Sequence, residues 1–457
     1  MRIKKFAALA ASFGIIASIG AAVPLSASAA GSYGTIIGGN RTTTFDKYMV
    51  MHTSANVPDA EFSFTIEPGA AVGATATTSE VFAGVGTPTF MADDATHTGS
   101  NTPGKVIFSN SDVTVLESSL TAVSSDKPDF TTTGEGKTSD EKYAKKTLTI
   151  TFPSDTPFKQ PGIYRYIISE TGSAAGVAND PVATRTLDVY VVDDYDAAND
   201  KNLLKIDGYT LYSGTVTAAP LKALPAGKNA DDIPNGLEAG TKSPGYTNTY
   251  TARTLSFGKE VEGNQGSKDK YFKFTLVIAN AAGATLNVKV SDMETATTKT
   301  DSTIYSKADM DAANNADDVD GIDGHQIKVD ATGTITKDYY LRDGQYVTIE
   351  GLPQGATYDL TEAAEDYTSS EGTGKVAVPE SGTPGEAGYI PAKTYDDDTS
   401  GTIGANDVYT GYTNTRAGMI PTGILSTVAG SLGLAAVGLA GLTGGVLYIK
   451  KKKSEEE

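Results

Sequence analysis

The chain has 457 residues, with 37 Lys and Arg against 56 Asp and Glu and a formal net charge of −19 at pH 7. That balance excludes a nucleic-acid binder, which needs a basic footprint for phosphate, and mainly favours solubility. Cysteine is absent, which excludes disulfide staples, thiol enzymes, internal thioesters and thiolate metal sites. His52, His97 and His325 are the only histidines and lie too far apart in sequence for a His-based site, so no metal or other cofactor is expected.

Arg2, Lys4 and Lys5 open the chain, an apolar run follows from Phe6 to about Leu25, and Ala27-Ser28-Ala29-Ala30 supplies small residues at its exit. This is the order of a secretory signal peptide, assigned to residues 1–30, with the mature chain starting near Gly31. An uncleaved anchor is the competing reading, and the small-residue exit speaks against it.

From residue 31 to 418, Thr, Val, Tyr and Phe recur in short alternating runs separated by Gly, Pro, Asn and Asp. The pattern predicts an all-β protein of β-sandwich type with little soluble helix. Two segments repeat one order of features. The first runs from Phe45-Asp46-Lys47 through Phe62-Ser63-Phe64 and Tyr166-Ile167-Ile168-Ser169-Glu170 to Gly245-Tyr246-Thr247-Asn248-Thr249. The second runs from Phe257-Gly258-Lys259 through Phe272-Lys273-Phe274 and Tyr358-Asp359-Leu360-Thr361-Glu362 to Gly411-Tyr412-Thr413-Asn414-Thr415. The closing pentapeptides are identical, which points to a duplication and to two domains, over 31–250 and 251–418.

In a strand, residues i and i+2 share a face. Lys47 therefore lies with Phe45 and Met49, and Lys259 with Phe257 and Val261. Glu170 shares its face with Tyr166 and Ile168, Glu362 with Tyr358 and Leu360. Asn248 sits between Tyr246 and Tyr250, whereas Asn414 has Tyr412 on one side and Arg416 on the other. Lys, Glu and Asn thus fall on faces expected to be buried, where unpaired polar groups are costly. Edge-strand positions or ordinary buried ion pairs would explain any one of them; the same order occurring twice favours a chemical role. Burial favours a neutral Lys amine and a protonated Glu, and a neutral amine can attack an Asn side-chain amide. The Glu would polarise the carbonyl and shuttle protons as ammonia leaves, with proximity supplying up to ~7–11 kcal/mol. The product is a neutral isopeptide bond.

At the other end, Ile420-Pro421-Thr422-Gly423 precedes an apolar run over residues 424–449, closed by Lys450 to Lys453. The run is long enough to span a bilayer, and the lysines would stay in the cytoplasm. Residues 419–457 resemble a cell-wall sorting signal read by a sortase, in the variant where Pro abuts Thr. The implied chemistry opens the bond between Thr422 and Gly423 and passes the Thr422 acyl group to an amine.

Both halves resemble the isopeptide-containing, immunoglobulin-like (CnaB-type) domains of Gram-positive major pilins, and the whole is similar to two-domain backbone pilins of streptococcal type. The likeness rests on Val57-Pro58-Asp59-Ala60-Glu61-Phe62-Ser63-Phe64-Thr65-Ile66, Pro161-Gly162-Ile163-Tyr164-Arg165-Tyr166, the two Tyr-Thr-Asn closures and Ile420-Pro421-Thr422-Gly423. It implies bonds from Lys47 to Asn248 and from Lys259 to Asn414, with Glu170 and Glu362 as catalytic acids, each tying a domain's first strand to its last. Those pilins place an acceptor lysine shortly before the first closing Asn. Lys242-Ser243-Pro244 fits that place with one residue fewer before Asn248, with Lys222 and Lys228 as competitors.

The implied protein is a wall-anchored pilus subunit displayed at a Gram-positive surface by way of a membrane precursor. Its expected partners are pilin-specific and housekeeping sortases, identical subunits, minor pilins, peptidoglycan and a host surface ligand. A monomeric wall-anchored adhesin or a minor basal pilin is the alternative. No turnover enzyme is expected, since neither a phosphate-cradling Gly loop nor a Ser, His and Asp set is present. Residues 318–324 and Asp396-Asp397-Asp398 read as solvated acidic turns; the former lacks EF-hand spacing and its bidentate Glu. Asp193, Asp194 and Asp196 read as the end of a strand that starts near Thr186.

Overall fold

The computed structural model describes residues 38–91, 103–120, 128, 141–196, 201–223, 238–290, 325–371, 376–378, 393–394 and 397–418. The expected leader over 1–30, the expected sorting signal over 419–457, His97, Lys228, residues 318–324 and Asp396 lie outside them.

Apart from one short 3-10 turn over Glu117–Ser119, the regular secondary structure of the described residues is all strand, as expected. The principal strands of the first half are β1 (Thr42–His52), β2 (Ala60–Pro68), β3 (Lys105–Phe108), β4 (Glu141–Thr151), β5 (Gly162–Gly172), β6 (Thr184–Asp196), β7 (Lys201–Ser213) and β8 (Gly245–Tyr250). One sheet runs β7-β6-β5-β2-β3 and the facing sheet β8-β1-β4, with short strands completing both edges. The second half contributes β9 (Ala252–Glu262), β10 (Phe272–Ala279), β11 (Thr285–Val290), β12 (His325–Lys328), β13 (Ile335–Leu341), β14 (Tyr346–Pro353), β15 (Thr357–Glu362), β16 (Thr368–Glu371), β17 (Ser400–Thr402) and β18 (Val408–Thr415). Its sheets run β12-β11-β14-β9-β18-β16 and β13-β10-β15-β17. Each half is a β-sandwich around its own apolar core.

Alternation explains most strands. In β10, Phe272, Phe274, Leu276 and Ile278 are buried, while each residue between them is only partly covered. β1 departs from alternation because both of its faces are covered. Phe45, Met49 and Met51 enter the main core, whereas Tyr48 and Val50 pack with Tyr143 on the opposite face. The duplication survives in the packing. Phe45, Phe64 and Tyr246 form an aromatic trio with centroids 5.2–5.8 Å apart; the matching Phe274 lies 5.8 Å from Phe257 and 6.0 Å from Tyr412.

The halves meet through hydrogen bonds as well as the Thr251 connection. The Asp59 N–H donates to the Gly283 carbonyl at 2.8 Å, Asn56 Nδ2 to the Thr285 carbonyl at 3.0 Å, and Tyr250 Oη to the Gly351 carbonyl at 3.0 Å. Gly283 has φ +76°, and a Cβ there would lie 2.4 Å from the Asp59 carbonyl oxygen, so only glycine permits this approach.

Candidate functional site

In each sandwich the first and last long strands lie side by side and parallel, β1 with β8 and β9 with β18. The register is the same in both. Lys47 stands opposite Tyr246 and Asn248 opposite Met49; Lys259 stands opposite Tyr412 and Asn414 opposite Val261. Lysine and asparagine are therefore diagonal neighbours on one face, a separation that a long side chain spans. The tyrosine between them locks the sheets together: Tyr246 Oη donates to the Ile168 carbonyl and Tyr412 Oη to the Leu360 carbonyl, both at 2.8 Å. Those acceptors lie two residues before Glu170 and Glu362, so the bonds set where each glutamate enters the core.

In the first sandwich Lys47 and Asn248 are fully buried and Glu170 nearly so. Lys47 Nζ donates to both Glu170 oxygens, at 2.8 and 2.9 Å. Asn248 Nδ2 donates to the same Glu170 Oε1 at 2.8 Å. Asn248 Oδ1 accepts the Asp180 backbone N–H at 2.8 Å. Because an N–H can meet only the oxygen end of the amide, this contact fixes the amide's orientation. Glu170 thus faces the nitrogen end of the amide and the Asp180 N–H its oxygen end.

The second cluster repeats the arrangement. Lys259 Nζ is ion-paired with Glu362 Oε1 at 2.6 Å. Asn414 Nδ2 donates to that oxygen at 3.1 Å, and Ser369 Oγ holds the other carboxylate oxygen at 2.9 Å. Asn414 Oδ1 is buried and has no hydrogen-bond partner among the described residues. Phe62 lies 4.7 Å from Lys47 Nζ and Phe272 4.5 Å from Lys259 Nζ, shielding both amines from water.

Burial pushes the Lys47 amine down to about 8, against the opposing pull of Glu170, and it does the same to Lys259 against Glu362. At neutral pH a value of about 8 leaves about one amine in ten uncharged, compared with about one in three thousand at the ordinary lysine value.

Sequence reasoning singled out the six Lys, Glu and Asn residues, and the structure brings them together as two triads. It missed Asp180, Arg185, Phe62 and Phe272 as neighbours of those triads. The two phenylalanines were legible as a repeated Phe-X-Phe; Asp180 enters through its backbone, for which sequence carries no signal. Lys242 is apart from both triads, half-exposed, bridged to Tyr212 and ion-paired with Glu238. It lines a groove of about 850 Å³ together with Pro181, Val182, Pro244 and Arg253. Lys222 donates to the Thr75 carbonyl at 2.8 Å. Asp397 Oδ2 accepts the Tyr409 N–H of β18 at 2.8 Å, and Asp193, Asp194 and Asp196 lie within β6.

A tandem β-sandwich whose two halves carry the same buried Lys, Glu and Asn triad between first and last strands is the class of protein defined here. Residues 253–416 match a family described as a domain of unknown function (DUF7601). The chain is 24% identical over 426 residues to a protein named pilin from Streptococcus pyogenes serotype M1, covering 92% of this chain and 93% of that one. A crystal structure of the major pilin from S. pyogenes aligns over 84% of this chain and 100% of its own, at 19% identity and a TM-score of 0.42. A second S. pyogenes major pilin, T3.2, aligns over 83% and 99%, at 18% identity and a TM-score of 0.41. The chain resembles the streptococcal-type backbone pilins over nearly its whole length.

Proposed function

We propose that this chain is the structural subunit of a sortase-assembled surface pilus, hardened by one autocatalytic isopeptide bond in each sandwich. The observation that carries the bond chemistry is that one glutamate oxygen touches both lysine amine and asparagine amide nitrogen, in both sandwiches. Proton transfer from Lys47 to Glu170 leaves a neutral amine and a neutral acid. The amine attacks Asn248 Cγ, forming the new C–N bond. Glu170 then delivers a proton to Nδ2 and takes one from the attacking Nζ, the C–Nδ2 bond breaks, and ammonia departs, leaving a neutral amide and a neutral Glu170, so atoms and charge balance without a co-reactant. Glu362 performs the same exchange between Lys259 and Asn414. Burial of an ion pair is expensive, and the neutral product removes that cost.

The bonds would join the first strand of each sandwich to its last. Tension entering at one end and leaving at the other would then bypass the hydrogen-bonded ladders. Polymerisation would use the Thr422 acyl group of one subunit and a lysine of the next. Lys242 is the favoured acceptor because its half-exposed amine lines a groove that a chain end can enter. The likeness to a named pilin over most of both chains supports the pilus role.

Intact-mass measurement of the ectodomain tests the bonds: loss of two ammonias is expected, with cross-linked peptides joining Lys47 to Asn248 and Lys259 to Asn414. A mass equal to that of the sequence would end this reading. A denaturing gel of wall extract tests polymerisation, with a ladder expected; a single anchored band would leave a monomeric adhesin.

A further inference from the structure

The two triads differ in what holds the amide oxygen. In the first sandwich the Asp180 N–H points at Asn248 Oδ1, and that N–H is itself held in place. Asp180 Oδ1 accepts the Val182 N–H at 2.9 Å. Its Oδ2 accepts Arg185 Nη2 at 2.6 Å and the Thr247 N–H at 2.8 Å. Arg185 is buried, stacks 4.3 Å from the Tyr246 ring, and donates through Nε to Ser243 Oγ and the Gly245 carbonyl, both at 2.8 Å. The segment that carries the donor is thereby pinned to β8, the strand that carries the acceptor. In the second sandwich Asn414 Oδ1 has no such donor among the described residues.

We propose that the Asp180 backbone N–H is the oxyanion donor of the first isopeptide site, with the Asp180 carboxylate and Arg185 acting as positioning residues that aim it. This rests on the bond-forming reading above. When Lys47 attacks Asn248 Cγ, the carbonyl π pair moves onto Oδ1, and negative charge develops where the N–H already points. A pre-aimed donor costs no reorganisation at that moment, and removing one such donor slows acyl-transfer reactions by roughly 10²–10³-fold. As the C–Nδ2 bond breaks, the pair returns to the carbonyl and the N–H keeps an ordinary acceptor.

The test follows ammonia loss by peptide mass mapping in isotope-labelled full-length chain made by cell-free synthesis and diluted into buffers spanning pH about 8. The second-sandwich bond in the same molecule serves as clock and folding control. Asp180→Ala is expected to slow the Lys47–Asn248 bond at least about tenfold against that clock, without raising the pH midpoint. Lys47 is faced by Glu170, Asp180 and Arg185. Loss of the Asp180 charge alone favours the neutral amine and would speed the reaction, so slowing reports the lost aim. Arg185→Lys is expected to slow it in the same direction, and it supplies the answer if Asp180→Ala misfolds. Unchanged rates in the variants, or slowing accompanied by a midpoint rising towards 10.5, would overturn the proposal. Absence of both bonds from the wild-type chain would instead remove the reading it rests on.

Discussion

Replacing Asn248 with Ala removes the electrophile while leaving the Lys47–Glu170 pair intact, so it isolates the contribution of the covalent link. The link would join residues separated by 123 positions from Lys47 to Glu170 and a further 78 from Glu170 to Asn248. Closing a loop of about two hundred residues in the unfolded chain is worth ~5 kcal/mol in the chain-entropy treatment of cross-links. For a sandwich of roughly 200 residues, each kcal/mol moves the melting temperature by about 2–4 °C, so the expected loss is about 10–20 °C. Differential scanning calorimetry of wild-type and Asn248→Ala ectodomains measures it, with intact mass confirming that the variant retains one ammonia more. A first-sandwich transition displaced by less than about 2 °C would refute the loop-entropy reasoning.

Glu362→Ala should abolish the second bond and leave the first, and should cost that sandwich about 3–5 kcal/mol because Lys259 is left buried without its counter-charge; peptide mapping and denaturant titration read the two effects. In the Asn248→Ala chain Lys47 stays unreacted with its amine lowered to about 8. Between pH about 8 and 10 the unfolded state then binds more protons than the folded one, so stability should rise with pH through that window. Stability that falls there in urea titrations would contradict the burial of that amine. Gly245 has φ +150°, and a Cβ there would lie 1.8 Å from the Asp46 carbonyl oxygen. Gly245→Ala should therefore part β8 from β1, costing more than about 2 kcal/mol and slowing the first bond in mass measurements. Lys242→Arg should abolish the polymer ladder while leaving monomer with both internal bonds; a persisting ladder would move the acceptor role to another lysine.

Much of the candidate site was legible in the chain because strand geometry has a period of two. Once Lys47 shares a face with Phe45 and Met49, and Asn248 with Tyr246 and Tyr250, burial of all these groups follows from the alternation alone. The identical pentapeptides ending at Thr249 and Thr415 likewise announced two copies of one arrangement. The expected leader and sorting signal are sequence statements still, resting on local order rather than on packing, whereas Lys242 was singled out by sequence and its exposure along a groove was seen only in the structure.

What only tertiary structure decided is the relation between segments far apart in the chain. The parallel register that sets Lys47 beside Tyr246, diagonal to Asn248, depends on which strands become neighbours, and alternation within one strand carries no information about that. Which end of the Asn248 amide meets Glu170 was decided by a backbone N–H, and every non-proline residue has one. The contrast between a pinned donor at Asp180 and an Asn414 oxygen without a partner among the described residues is likewise invisible in two identical Gly-Tyr-Thr-Asn-Thr closures. Side-chain type follows from sequence, whereas the direction of a hydrogen bond follows from how the backbone is folded around it.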